Sequence, residues 1–259
     1  MAHALDGVRL KLARAEEHLR SLTDETSRYL DSDFFQLVRD DRAPGSAFHL
    51  WVKGQPPARL SILVGDCLHN LRSSIDHLAW QLVLANEEMP DEKTKFPIHL
   101  KRPRDNFAPL AVRGMSQAAI TAIEKLQPFQ AGERANQTAL WFLHQLSNVD
   151  KHRTLNLTAA SMTGMRVRLL AGSTDTAIAT AIIPGGVFRH REKVAAFPDV
   201  QPDRALSEEI KVETKGEAFV ALQERGPWGQ DQPVIVLLAQ TLDVIQREVL
   251  PQFATFFPA

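Results

Sequence analysis

Residues Cys67–Gln81 read CLHNLRSSIDHLAWQ, and the two-sided pattern of this stretch decides the fold. When successive residues are placed about 100° apart around a helix axis, one side becomes apolar and the other becomes polar. The apolar side collects Val64, Leu68, Leu71, Ile75, Leu78 and Leu82. The polar side collects Asp66, His69, Asn70, Ser73, Asp76 and His77, with Arg72 at its border. The pattern predicts a helix over residues 58–86, and the Pro56–Pro57 pair favours its start.

The polar side of this helix has an unusual composition. Between Leu60 and Asn86 there is no Lys or Glu, and Arg72 is the only Arg, whereas solvated helix faces are normally rich in Lys and Glu. Three hypotheses remain open: a solvated face with an ordinary Arg72–Asp76 pair, a buried polar network, and an active or binding site. The network would cross the bundle or a dimer interface, and buried polar groups of this kind must be paired. Its supporting members would be His69, Asn70, Ser73 and Asp76.

We expect no metal site on this helix. His69 and His77 are eight residues apart, which is about 12 Å along a straight helix, so one ion cannot bind both. Ser73 occupies the position four residues from each of them, and its hydroxyl is a poor metal ligand. No cofactor is therefore expected.

Arg72 and His77 instead suggest an anion site. They are five residues apart, which is about 7.5 Å along the helix axis. A guanidinium group binds phosphate oxygens through a planar fork of donors. A His side chain titrates near neutral pH and can move a proton to or from a hydroxyl group. The pair therefore suits phosphate chemistry.

Residues Arg72–His77, which read RSSIDH, resemble the R-x4-H motif of the HEPN superfamily. The resemblance implies a helical bundle, a homodimer, RNA as the partner and metal-independent endoribonuclease activity. It further implies that Arg72 binds the phosphate, that His77 is the general base or acid, and that the 2′-hydroxyl of RNA is the nucleophile. Ser73 departs from the Asn, Asp or His that commonly follows the Arg in that group. The strings HNLRSSIDHLAW and NVDKHR are also similar to those of uncharacterised bacterial proteins, which implies no activity.

A second polar cluster, SNVDKHR, spans Ser147–Arg153 and ends a helix predicted over residues 135–148. Cations in such a position are stabilised by the negative end of the helix dipole, which is one interpretation of Lys151, His152 and Arg153. The alternative is that these three residues lie over the Arg72–His77 face and hold a second phosphate. The sequence leaves open which end of the second helix they approach.

The rest of the chain predicts helices on both sides of a β region. Helical spacing begins at Leu5 and is expected to continue through Leu37, and further helices are expected over 116–126 and from Pro233 onward. Alternating and β-branched segments fill 153–224, and the short strand Phe48–Val52 is expected to join them. The predicted fold class is α+β: a HEPN-like helical bundle with an antiparallel β-sheet region before the C-terminal helix.

The predicted organisation is one compact domain overall. Residues 1–152 would form the helical bundle with one short strand near 47–53, and residues 153–231 would form the antiparallel β region. Residues 232–259 would form the C-terminal helix, which packs back on the bundle.

The composition is that of an ordinary folded protein. The 259 residues carry a net charge of −1 and a single cysteine, which excludes an internal disulfide. No apolar run approaches the ~20 residues that cross a bilayer, so we expect a cytoplasmic protein without membrane contact. No P-loop or GxGxxG motif is present, so no nucleotide cofactor is expected. The leading hypothesis is a metal-independent endoribonuclease or RNA-associated protein, and the alternative is a non-catalytic binding or structural protein.

Overall fold

The computed structural model describes residues 3–32, 34–40, 46–104, 107, 110–161, 165–171, 176–183, 186–187, 192–197, 210–215, 218–223 and 232–257. The chain divides into two compact units. The first comprises Met1–Asp24, Ala58–Asn156 and Glu224–Ala259. The second comprises Glu25–Pro57 and Leu157–Gln223. Parts of the predicted β region, including residues 198–209 and 224–231, lie outside the described residues.

Helices dominate the first unit. The α-helices of the described chain are α1 (Asp6–Leu30), α2 (Ala58–Leu84), α3 (Gln117–Lys125), α4 (Ala139–Asp150) and α5 (Val234–Val244). A 3₁₀ segment, Pro128–Gln137, precedes α4, and a π turn (Ile245–Val249) and a second 3₁₀ segment (Leu250–Phe256) continue α5. The predicted second and third helices are confirmed to within two residues at each end.

Side-chain caps define where α3 and α4 begin. The Ser116 hydroxyl accepts a hydrogen bond from the Ala119 amide at the start of α3. The Thr138 hydroxyl does the same for the Trp141 amide at the start of α4. Each cap satisfies an amide that has no partner within its own helix, so the helix start follows from a local sequence signal.

The core of the first unit is built on the apolar side of α2. Leu68, Leu71, Ile75 and Leu78 are each 0% exposed. Helix α2 contacts α4 and α5, and α4 contacts α5. The thiol of Cys67 lies 3.6 Å from the Ala15 carbonyl oxygen of α1, so the cysteine is a packed core residue. The division of α2 into an apolar and a polar side is confirmed by this burial.

The second unit contains the strands. In the described residues they are β1 (Phe35–Asp40), β2 (Ser46–Val52), β3 (Leu157–Ser161), β4 (Met165–Ala171), β5 (Thr176–Ile183), β6 (Gly186–Val187), β7 (Glu192–Phe197), β8 (Ile210–Lys215) and β9 (Ala218–Leu222). They form three antiparallel three-stranded sheets with the orders β1-β2-β7, β6-β3-β9 and β5-β4-β8. Because β2 pairs with β7, the prediction that Phe48–Val52 joins the β region is confirmed. The helices and antiparallel sheets confirm the α+β fold class.

One prediction about the N-terminal helix is wrong. Helical spacing was expected to continue through Leu37, but α1 ends at Leu30 and Phe35–Asp40 form β1. Strand β1 pairs with β2 over its full length, from Phe35 opposite Val52 to Asp40 opposite Ala47. Ladder hydrogen bonds with the next strand along the chain outweigh a local helical periodicity of this kind, which is a weak determinant by itself.

None of the helices in the described chain is both long enough and apolar enough to span a lipid bilayer.

Candidate functional site

Arg72 and Asp76 are joined by a two-point ion pair on one face of α2. Arg72 Nε donates to Asp76 Oδ2 at 3.0 Å, and Arg72 Nη2 donates to Asp76 Oδ1 at 2.7 Å. The same Nη2 donates to the Phe96 carbonyl oxygen at 2.7 Å, and the Phe96 amide donates to Asp76 Oδ1 at 2.9 Å. The side chains of Arg72 and Asp76 are only 12% and 33% exposed. The pair therefore binds the segment around Phe96 to α2.

A cleft of about 740 Å³ opens beside this ion pair, and we call it the Arg72 cleft. Its lining residues come from α2, from the segment that follows α2, and from the last turns of α4. They are Arg72, Asp76, Glu92, Lys93, Lys95, Phe96, Pro97, Ile98, His99, Leu110, Ala111, His144, Ser147, Asn148 and Lys151.

The second predicted cluster contributes directly to this cleft. Ser147, Asn148 and Lys151 line it together with Arg72. Asp150, on another side of α4, lies against Gly65 of α2, where an added Cβ would be 2.5 Å from its Oδ1. Asp150, at the end of α4, lies against Gly65, whereas His144, earlier in α4, lines the cleft with Arg72, so α2 and α4 run antiparallel. The end of α4 therefore approaches the first half of α2, which the sequence had left open.

Cationic side chains outnumber carboxylates around the Arg72 cleft. Arg72, Lys93, Lys95 and Lys151 line it, against Asp76 and Glu92. Arg72 and Asp76 offset each other in their ion pair. Lys93, Lys95 and Lys151 then stand against Glu92, so the charged lining of the cleft has an excess of two positive charges although the chain as a whole carries −1.

Three residues of the Arg72 cleft carry a buried polar atom without a protein partner. The atoms are Arg72 Nη1, His99 Nε2 and Ser147 Oγ. Only two other side-chain atoms in the described part of the chain share this property, those of Thr26 and Asn136, and neither residue lines the cleft. An unpaired buried polar atom costs about 1–3 kcal/mol. Three of the five such atoms in the described residues therefore belong to side chains that line the Arg72 cleft.

The two histidines of the Arg72 cleft favour their neutral forms. Burial, followed by the nearby Arg72 and Lys151 charges, lowers the pKa of His144 to about 4. Burial and the Lys95 charge lower the pKa of His99 as well. The His144 ring stacks on Trp141 with centroids 5.3 Å apart, and its Nε2 lies 3.2 Å from the Asn148 amide nitrogen. In the neutral imidazole, Nε2 can accept a hydrogen bond from that amide nitrogen.

The two residues of the R-x4-H motif do not both line the Arg72 cleft. Arg72 lines the Arg72 cleft, whereas His77 is not among its lining residues. His77 is exposed, and its Nδ1 would lie 3.2 Å from a Cβ placed on Gly7 of α1. The imidazole therefore lies against α1, on a different side of α2 from the Arg72–Asp76 pair.

The other predicted polar residues of α2 lie one or two helical turns before His77. Asn70 is buried and donates to the Asp66 carbonyl oxygen at 2.8 Å, and Ser73 is half-buried. His69 is exposed and lies near Asp150. Burial and then the Asp66 charge raise the pKa of the Asp150 carboxyl, and the His69 charge opposes this.

His152 and Arg153 follow the end of α4 and do not line the Arg72 cleft. Their amides both donate to the Val149 carbonyl oxygen at 3.0 Å, and both residues are exposed. Of the predicted phosphate-binding group, only Lys151 therefore lies with Arg72. The position of His152 and Arg153 just after α4 agrees with the interpretation in which the negative end of the helix dipole stabilises them.

The sequence prediction missed the wall formed by Lys93, Lys95 and His99. These residues lie in the proline-punctuated connection after α2, which carries no helical or strand periodicity. A local signal was present, since two Lys and one His surround the apolar run FPI at 96–98. Their convergence with Arg72 depends on the Phe96 hydrogen bonds, which no local pattern reports.

Within the described part of the chain, no group of three or more His, Cys, Asp or Glu side chains is arranged to hold a metal ion.

Comparisons with protein-family models, with curated proteins and with solved structures found no match to this chain.

Proposed function

We propose that this protein binds a phosphate-bearing ligand in the Arg72 cleft. The observation that carries the proposal is the convergence of four cationic side chains with unpartnered buried atoms on Arg72 and Ser147. Arg and Lys side chains are donors only, so the group that satisfies them must be rich in acceptors. A phosphate group offers several acceptor oxygens and negative charge, and Arg binds it with a planar fork.

Removing one cationic side chain from the cleft tests this proposal. We expect Lys151→Gln to weaken the binding of inorganic phosphate, measured by isothermal titration calorimetry, by roughly threefold to tenfold. Lys151 is exposed, so the variant is expected to keep the melting temperature of the wild type. Lys125→Gln is the matched control, because Lys125 is an exposed lysine of α3 that does not line the Arg72 cleft. Equal affinities in all three proteins, or no binding by the wild type, would contradict the proposal.

Metal-independent cleavage of RNA is the second candidate function. It rests on the R-x4-H motif and on the shared position of Arg72 and His144, which both line the Arg72 cleft. Arg72 would bind the scissile phosphate, and a histidine would move the proton of the attacking 2′-hydroxyl. The R-x4-H motif assigns that step to His77, whereas His144 is the histidine of α4 that shares the cleft with Arg72.

Two His variants distinguish these assignments. Cleavage of a labelled RNA in the presence of a chelator is expected to be lost in His77→Ala if the motif assignment is correct. It is expected to be lost in His144→Ala if the chemistry takes place in the Arg72 cleft. A wild-type protein that leaves RNA intact contradicts this candidate but leaves phosphate binding in place. Sedimentation of the same samples tests the homodimer that the motif implies.

The non-catalytic alternative rests on the hydrogen bonds of Arg72 and Asp76. These residues join α2 to the segment around Phe96, so they stabilise the first unit whether or not a ligand binds. The structural role and the binding role use different atoms of Arg72, because Nη1 is the nitrogen without a protein partner. The two roles are therefore compatible.

A further inference from the structure

The Arg72 cleft is lined by apolar side chains as well as by cations. Phe96, Pro97, Ile98 and Ala111 are buried, and they line the cleft together with Leu110. Leu110 is 54% exposed, which makes it one of the few large apolar side chains with high exposure in the described chain. An inorganic anion gains nothing from such surface, whereas a ligand with an apolar body removes it from water.

The size of the Arg72 cleft also exceeds the needs of a bare anion. Its volume of about 740 Å³ falls in the range of about 300–1,000 Å³ that is typical of small-molecule sites. Such sites combine apolar lining with a few polar groups that fix the orientation of the ligand. Arg72, Ser147 and Lys151 fit the second part of that description, and Ile98 and Leu110 fit the first.

We infer that the ligand of the Arg72 cleft is a small organic phosphate with an apolar body. This inference rests on the proposed function, since it assumes that a phosphate group is bound there. The phosphate is attracted by the charges of Arg72 and Lys151 and lies beside Ser147, at the side of the cleft where Arg72 Nη1 and Ser147 Oγ lack a protein partner. The apolar body contacts Leu110 and the buried side chains around Ile98.

Calorimetry with three phosphates of graded apolar content tests the inference on the full chain. Phenyl phosphate carries an apolar body, glycerol 3-phosphate carries a polar body, and inorganic phosphate carries none. We expect phenyl phosphate to bind roughly tenfold more tightly than glycerol 3-phosphate, because its ring removes apolar surface from water. Similar affinities for these two compounds would overturn the inference.

A variant at Leu110 tests the apolar contact separately from the phosphate contact. Leu110→Ser is expected to weaken phenyl phosphate binding by roughly fivefold more than it weakens inorganic phosphate binding. Leu110 is largely exposed, so the variant is expected to fold as the wild type does. Met89→Ser is the matched control, because Met89 is 85% exposed and does not line the cleft; it should bind both compounds like the wild type.

The outcomes separate this inference from the proposed function. If inorganic phosphate binds but phenyl phosphate gains nothing and Leu110→Ser has no effect, the inference fails and the proposed function stands. If an RNA oligonucleotide displaces inorganic phosphate while phenyl phosphate shows no gain, the ligand is a polymer and the inference fails as well. If no phosphate compound binds, both are overturned.

Discussion

The donors of Arg72 divide into those with protein partners and those without. A guanidinium group carries five N–H donors. Nε and Nη2 use three of them on Asp76 and Phe96. These bonds hold the guanidinium plane in place and leave Nη1 buried without a protein partner. A donor that is already oriented loses little entropy when it binds an anion, which is the physical advantage of this arrangement.

The first prediction concerns Asp76. Asp76→Asn keeps the shape of the side chain but removes the charge that faces Arg72. We expect the free energy of unfolding to fall by about 1–3 kcal/mol, because a poorly exposed guanidinium loses its counter-charge. Urea unfolding measures the loss.

An exposed pair of the same spacing provides the control for Asp76. Arg247 and Asp243 also pair at i,i+4 with a distance of 2.7 Å, but their side chains are 79% and 53% exposed. Asp243→Asn is expected to cost no more than about 0.5 kcal/mol. If both variants lose the same stability, the Arg72–Asp76 network is not a structural element of the first unit.

The second prediction concerns the neutral form of His144. Its folded-state pKa of about 4 lies below the ordinary value of 6.5, so the unfolded chain binds more protons between these two pH values. Stability linked to His144 is therefore complete above about pH 6.5 and is lost as the pH falls toward 4. Because the side chain is only half-buried, we expect this loss to be about 1–2 kcal/mol.

Urea unfolding at pH 7 and at pH 4.5 measures the contribution of His144. The wild type is expected to lose more stability between these pH values than His144→Gln, which has no imidazole to protonate at this position. His99, whose pKa is lowered too, is present in both proteins and cancels in the comparison. Equal losses in the two proteins would show that His144 is not kept neutral by the fold.

At the scale of elements, the close approach of α2 and α4 forms one side of the Arg72 cleft. Gly65 permits this approach, because a Cβ there would lie 2.5 Å from Asp150 Oδ1 and 3.0 Å from its carboxyl carbon. Glycine is otherwise a poor residue for the interior of a helix, by about 1 kcal/mol relative to alanine. Its presence in α2 is therefore explained by packing.

The third prediction is a double-mutant cycle on Gly65 and Asp150. Gly65→Ala alone is expected to lower the free energy of unfolding by about 1 kcal/mol or more, because the added methyl group displaces the Asp150 carboxylate. In an Asp150→Ala background that obstacle is absent. The same change at Gly65 should then be neutral or stabilising, since alanine favours the helix. Additive effects in the cycle would contradict the contact.

At the scale of the whole molecule, every residue that lines the Arg72 cleft belongs to the first unit. The second unit contributes strands but no lining residue. A ligand of the cleft therefore acts on the stability of the helical unit directly, since it binds only when that unit is folded.

The fourth prediction uses hydrogen exchange to locate the bound ligand. Saturating inorganic phosphate is expected to slow amide exchange in residues 92–99 and at the end of α4. Exchange in β1 to β9 should stay unchanged, because these strands lie outside the cleft-forming unit. Mass spectrometry of peptides from the two units gives the comparison, and Lys151→Gln, in which the effect should shrink, serves as the control. Protection confined to the strands would contradict the proposed position of the ligand.

Short-range rules are enough to predict the α+β class, the span of α2 and its apolar side. The helical repeat predicts α2 and its apolar side, the Pro56–Pro57 pair predicts its start, and the alternating segments of 153–224 predict the β region. The end of α1 could not be predicted in this way, because β1 forms by pairing with β2 and no local rule reports that pairing.

Only the tertiary structure decided which polar residues meet. Arg72 and His77 are close in sequence but lie on different sides of α2, whereas Arg72, His99 and His144 are distant in sequence and line one cleft. The physical reason is that a site forms where separate elements pack. The hydrogen bonds of Phe96 bring the connection after α2 to Arg72, and the absence of a side chain at Gly65 lets α4 approach. Helical spacing gives the direction of a side chain but not the identity of the element that faces it.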